Sequence, residues 1–115
     1  MQPSIIVHGG AGDISPDLHD AFREGTHRAV EAGWDQLAAG RSALDAVEAA
    51  IVVMEDDEAF DAGRGSFLNA DGQVELDAGF MEGTELGVGA VAGVQFIHNP
   101  IRLARAVLEK SEHVL

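Results

Sequence analysis

Apolar positions recur with different periods along this chain, and each change of period marks a new element. Ser4-Ile5-Ile6-Val7 is a short β-branched run that predicts a buried strand. It leads directly into His8-Gly9-Gly10-Ala11-Gly12, which is nearly all backbone. From Pro16, with Ser15 as N-cap, the spacing of Phe22, Ala29, Val30, Gly33, Trp34 and Leu37 predicts a helix. It should run to Ala39 and stop at Gly40. A second helix opens at Ser42, with Asp45 completing a near capping box. Leu44, Val47, Ile51 and Met54 line one side of it. Ala46, Ala49, Ala50, Val52 and Val53 fill the other faces, which predicts burial nearly all round.

Beyond residue 65 the period falls to two. Val74, Leu76, Ala78 and Phe80 alternate with Gln73, Glu75, Asp77 and Gly79. Residues 66–70 and 73–81 are therefore predicted to pair about Asp71-Gly72, a dipeptide that tight hairpins prefer. A third strand over residues 86–97 is so rich in Gly and Ala that another layer should lie close against its backbone. Asn99-Pro100 opens a third helix, with Ile101, Ala104, Val107 and Leu108 on its buried side. His113-Val114-Leu115 begins an apolar run, so the chain reads as truncated. The order strand, two helices, antiparallel strands, helix predicts an α+β protein with helices layered on a mainly antiparallel sheet.

Composition narrows the function classes. The 115 residues suffice for one domain and carry 46% hydrophobic residues, a globular proportion. Acidic residues outnumber basic ones 20 to 7, giving a net charge of −13, which argues against nucleic-acid and anionic-membrane partners. Lys110 is the only lysine. An acidic, lysine-poor chain of this kind suits a high-salt cytoplasm, where its self-repulsion is screened. Met1-Gln2-Pro3 does not resemble a secretory leader, and no run reaches the ~20 apolar residues of a membrane span, so a cytoplasmic location is expected. Without cysteine there is no disulfide, thiolate metal site or thiol nucleophile.

The remaining side chains do not assemble a catalytic centre. The histidines, His8, His19, His27, His98 and His113, lack the spacing of a transition-metal site. His8, at a strand end, reads as a hydrogen-bonded core residue. Gly63-Arg64-Gly65-Ser66 has the wrong order for a nucleophile elbow, which disfavours an esterase whose oxyanion hole is a glycine loop. Residues 9–12 could form an anion nest in a phosphate- or nucleotide-binding module. No lysine follows the glycines, and the charge is unfavourable.

Ordered motifs along essentially the whole chain carry a resemblance. They are Ile6-Val7-His8-Gly9-Gly10-Ala11-Gly12, Met54-Glu55-Asp56-Asp57, Phe60-Asp61-Ala62-Gly63-Arg64-Gly65-Ser66, Leu76-Asp77-Ala78-Gly79-Phe80-Met81-Glu82-Gly83, Gly89-Ala90-Val91-Ala92-Gly93-Val94 and Asn99-Pro100-Ile101-Arg102-Leu103-Ala104. Together they resemble the N-terminal part of the plant-type asparaginases, or isoaspartyl peptidases. The resemblance implies an αββα sandwich of the N-terminal nucleophile hydrolases, of which residues 1–115 would be one incomplete domain, most of the α-subunit region. It implies a precursor that cuts itself before a threonine. That threonine then attacks asparagine or an isoaspartyl bond with its own α-amine as base. The nucleophile would lie beyond Leu115, in a C-terminal β-subunit region that is the chief partner, within a dimer of αβ units. An inactive relic or an interaction module is the alternative.

The resemblance also assigns roles to residues that are present. Gly9, Gly10, Ala11 and Gly12 correspond to a glycine loop linked to self-cleavage beside the nucleophile. Asp61 stands where the family commonly has asparagine. A carboxylate only accepts hydrogen bonds where an amide also donates. The site would then tolerate the charge, pair it with a cation such as Arg64, or lose activity; a plain loop-capping role is the alternative. Met54, Glu55, Asp57, Phe60, Ala62 and Arg64 match a loop whose main-chain carbonyls hold a structural sodium ion, and no other cofactor is implied. An ion-free acidic loop is the other reading. Gly83-Thr84 imitates the processing junction but falls in an earlier segment of the family pattern.

Overall fold

Two helices build the first of two units, Met1–Gly65 and Ser66–Leu115, in the computed structural model, which describes residues 2–115. The predicted first helix divides. Pro16–Leu18 is a 3-10 turn, and the α-helix proper, α1, spans His19–Ala38. Ser15 occupies the N-cap position, but its hydroxyl donates to the Asp17 carboxylate instead of accepting from a backbone N–H. That bond holds the Asp17 carboxyl below its usual value. Helix α2 spans Ala43–Asp56 and has the complete capping box: Ser42 Oγ accepts from Asp45 N–H at 3.1 Å, and Asp45 Oδ2 accepts from Ser42 N–H at 3.3 Å.

Small residues set the distance between the two helices. Gly25, Ala29 and Gly33 are buried on α1, and Ala46 and Ala50 on α2. A Cβ at Gly33 would overlap Ile5 and approach the Ala46 carbonyl to 2.9 Å, so only glycine permits this approach. The core gathers Ala29, Ala50, Met54 and Phe60, with Ile5, Val7 and Phe22 packed against them. Trp34 was expected on this face but is 45% exposed, because one residue beyond Gly33 turns it about 100° away from the seam. Burial of α2 is also one-sided: Val47 is 43% exposed.

The predicted N-terminal strand belongs to no sheet. Ile5 and Val7 pack inward, yet Ile6 is 94% exposed, and no strand pairs with residues 2–10 among the described residues. Alternation buried one face of an extended segment; a strand also needs a neighbour.

In the second unit, β1 (Leu76–Met81) and β2 (Val88–Val94) form an antiparallel pair, with Gly79 opposite Ala90 and Met81 opposite Val88. Helix α3 (Pro100–Lys110) packs on both. A Cβ at Gly89 would overlap the Ala104 carbonyl, so α3 lies directly on the β2 backbone, the close layering predicted for this strand. Helices and a small antiparallel sheet make up the chain. The pairing differs from the expected hairpin. Asn69 closes its own turn at Asp71-Gly72, its Oδ1 accepting from Asp71 and Gln73 N–H, and residues 66–75 join no ladder.

The hairpin that forms turns instead on Glu82. Its carboxylate accepts N–H bonds from Glu85 at 2.7 Å, Thr84 at 2.8 Å and Gly87 at 3.0 Å, while Leu86 takes a left-handed φ of 57°. These donors, Gly87 foremost, hold the Glu82 carboxyl below its usual value. A depressed folded value means the turn gains from the carboxylate fully above the unfolded range and loses that gain as pH falls through the folded value. Protection of the Thr84, Glu85 and Gly87 amides against exchange should therefore collapse on acidification. In Glu82→Gln it should already be weak at neutral pH. Equal protection in both proteins at neutral pH would contradict this account of the turn.

Candidate functional site

Phe60 brings the two glycine-punctuated segments together. It is 3% exposed and meets Phe22 edge to face, with centroids 5.0 Å apart at 62°. Gly9 lies against the same ring: a Cβ there would stand 3.0 Å from Phe60 Cε1 and 2.8 Å from Thr26 Cγ2. Gly25 of α1 leaves a notch for the ring's other edge, since a Cβ would reach Phe60 Cε2 at 2.5 Å. The residue preceding Asp61 is thus anchored between the glycine loop and α1.

The glycine loop itself is exposed. Gly10 has φ 120°, a conformation that requires glycine, and its N–H donates to His8 Nδ1 at 3.1 Å. His8 is hydrogen-bonded as expected, but exposed rather than buried in a core. Ala11 and Gly12 are exposed as well, and open space lies beside Gly10 and Gly12. An anion nest leading into a helix does not form: one N–H of the loop is taken by His8, and α1 begins only at His19.

Downstream of α2 the chain coils on itself. Met54 and Glu55 are buried, Asp57 and Ala62 are half-buried, and Asp61 and Arg64 are exposed. The Glu55 carbonyl accepts from Arg64 N–H at 2.8 Å, and the Asp57 carbonyl accepts from Phe60 N–H at 3.2 Å. Gly63 and Gly65 close the coil. A Cβ at Gly63 would lie 2.5 Å from the Glu55 carbonyl oxygen, and one at Gly65 would overlap the carbonyl oxygens of both Glu58 and Phe60. The carbonyl oxygens of Glu55, Glu58 and Phe60 therefore lie close against the backbone of Gly63 and Gly65, and main-chain oxygens are hard donors of the kind that suit a hard cation. Glu58, absent from the sequence-derived ligands, contributes one of them. No group of three or more His, Cys, Asp or Glu side chains among the described residues could hold a metal. The Arg64 guanidinium pairs with Glu58, Nε to Oε1 at 3.2 Å.

Asp57 ties this loop to α1. Its Oδ2 accepts from Arg28 Nη2 at 2.5 Å, and its Oδ1 accepts from Ala59 N–H at 2.9 Å. Arg28, Val53, Asp56, Asp57, Glu58 and Arg64 line an open depression of about 510 Å³. Sequence reading missed Arg28 because it lies far from Asp57 along the chain and sits in an ordinary helical surface pattern.

The profile of the asparaginase family matches residues 1–115. The chain belongs to the asparaginase family. It is 51% identical over 115 residues to the isoaspartyl peptidase/L-asparaginase of Xenopus laevis, covering 100% of this chain and 37% of that protein. Against the isoaspartyl peptidase/L-asparaginase of Homo sapiens the identity is 52% over 98% of this chain, and against the plant-type L-asparaginase of Pyrococcus abyssi it is 54% over 97%. The chain spans about 37% of the length of these relatives. Among the described residues, no helix of this asparaginase-family chain is long and apolar enough to cross a membrane.

Proposed function

We propose that this chain is the N-terminal portion of a cytoplasmic amidohydrolase that hydrolyses L-asparagine and β-aspartyl dipeptides. The carrying observation is the identity of 50% and more, along nearly the whole chain, to proteins named isoaspartyl peptidase/L-asparaginase. In this reading residues 1–115 are one incomplete domain, and the rest of the precursor completes an αββα sandwich. A threonine in that remainder is freed by self-cleavage; its hydroxyl attacks the amide carbon, its proton passes through its own α-amine to the departing nitrogen as the C–N bond breaks, and water hydrolyses the ester left on the threonine. Assembly is as a dimer of αβ units.

The present residues serve that centre from one side. Residues 9–12 offer a loop with open space beside Gly10 and Gly12, where the nucleophile's segment would approach. Phe60 is wedged against Gly9, and in this reading Asp61, the next residue, serves the same region. The loop of Met54, Glu55, Asp57, Phe60, Ala62 and Arg64, joined by Glu58, holds a sodium ion through its carbonyls. The ion supplies a fixed charge that keeps the loop in shape.

The test is expression of the full-length precursor beside the 115-residue chain. Intact mass should show two fragments from the precursor, cut before a threonine beyond Leu115. Ammonia should be released from asparagine by the processed protein and not by the short chain. Thr84 lies in the β1–β2 turn with its N–H donated to Glu82. A cut before Thr84, or full activity from the short chain, would overturn the reading.

A further inference from the structure

We propose that Arg28 and Asp57 form a positioning pair that sets the cation affinity of the loop between Met54 and Gly65. The proposal rests on the reading above that this loop holds a monovalent cation. Four observations converge on the pair. Asp57 is the C-cap of α2, where the helix hands over to the loop, and its own carbonyl is one of the proposed ligands. Its carboxylate is held at both oxygens, by the Arg28 guanidinium at 2.5 Å and by Ala59 N–H at 2.9 Å. The Ala59 bond closes a side-chain turn over residues 57–59, so the Asp57 carboxylate and the backbone of that turn, the Asp57 carbonyl included, are fixed together. Gly25 lies one helical turn before Arg28 on α1, and its missing Cβ makes room for Asp57 Oδ2, 2.8 Å from where that atom would be, as well as for the Phe60 ring. Helix α1 thus grips the loop at a notch and at a clamp, on either side of a single turn. Finally, the Asp57 side chain is only 18% exposed, so the pair is better shielded than the surface bridges Arg23–Asp20 and Arg64–Glu58.

Two effects of removing Arg28 oppose each other, and their difference makes the proposal testable. Loss of the guanidinium leaves an uncompensated carboxylate beside the loop, which by charge alone would strengthen cation binding. It also frees Asp57 to turn, misplacing a carbonyl ligand, which weakens binding. The proposal requires the second effect to win, as it does when outer-shell partners of metal ligands are removed.

The experiment is thermal melting of the full-length protein over a sodium chloride series, with choline chloride holding ionic strength constant. Wild type should be stabilised with a saturating sodium midpoint. In Arg28→Met and in Asp57→Asn, which keeps an acceptor for Ala59, the midpoint should rise roughly tenfold. The double variant should be no worse than either alone, and Arg28→Lys should recover part of the loss. A pair that only stabilises the fold would lower every melting temperature and leave the midpoint unchanged. An unchanged or lowered midpoint in variants that still fold, as judged by circular dichroism, overturns the proposal. Should the single variants fail to fold, an unchanged midpoint in Arg28→Lys does the same. A wild type indifferent to sodium defeats the cation-loop reading itself, and the two failures are thereby distinguished.

Discussion

Phe60→Ala should cost about 3–5 kcal/mol, the largest effect expected of any single side chain in the first unit. The ring is 3% exposed and fills a space bounded by Phe22, the Gly9 backbone and the Gly25 notch. Truncation leaves a cavity that two glycines cannot relax into, since neither has a side chain to move. Phe60→Leu keeps most of the volume and should cost on the order of 1 kcal/mol. The shape argument makes a sharper demand on Gly25→Ala. Alone it should be strongly destabilising, because the new Cβ would lie 2.5 Å from Phe60 Cε2. Combined with Phe60→Leu, much of that clash disappears, so the two losses should fail to add. Urea midpoints of the full-length protein and these variants measure all of it. Additive losses would show that ring and notch are not packed as described. If the precursor cuts itself as proposed, Phe60→Ala should also slow that cleavage in whatever precursor still folds, because the ring anchors the residue before Asp61 against the glycine loop.

What was legible in the sequence was local. The capping box at Ser42 and Asp45 needs only residues three apart, and it is present in full. The Asp71-Gly72 turn is likewise local and present, with Asn69 supplying its hydrogen bonds. Which strand continues from that turn is decided elsewhere. The hairpin instead turns on the Glu82 carboxylate, an arrangement that no turn dipeptide announces and that places Leu86 in a left-handed conformation propensity would forbid it. The Ser4 to Val7 run had the composition of a buried strand, yet nothing in composition supplies a partner strand. For the candidate site, the two glycine-punctuated segments were legible from motif order. Their union at Phe60 and the Arg28–Asp57 clamp were not, because both depend on α1 lying against α2, and that packing is set by Gly33, Ala46 and Ala50 in three dimensions.

The 115-residue chain by itself should self-associate or remain loosely packed, and the remaining polypeptide, supplied as a separate chain, should rescue it. Each unit gives its own reason. In the first, Ile6 is 94% exposed, and Trp34 and Val47 are nearly half exposed along helices whose other faces form the core. In the second, Phe67 is 80% exposed and Phe96 fully so, while Leu68, Met81 and Leu86 also face outward. Leu76 and Phe80 of β1 are buried, whereas Met81 on the other side of the strand is exposed beside Val88, its partner on β2. Soluble monomers rarely leave this much large apolar side chain uncovered. The net charge of −13 opposes association, but at 0.1 M salt the repulsion reaches only about 10 Å, so only the charges lying near a contact weigh against it. Sedimentation of the short chain should therefore show oligomers or a broad distribution, and its melt should be broad. Adding the separately produced remainder should yield one species with a cooperative transition. A sharp melt from a strictly monomeric short chain would mean that these side chains tolerate water, and that the missing polypeptide supplies chemistry without supplying cover.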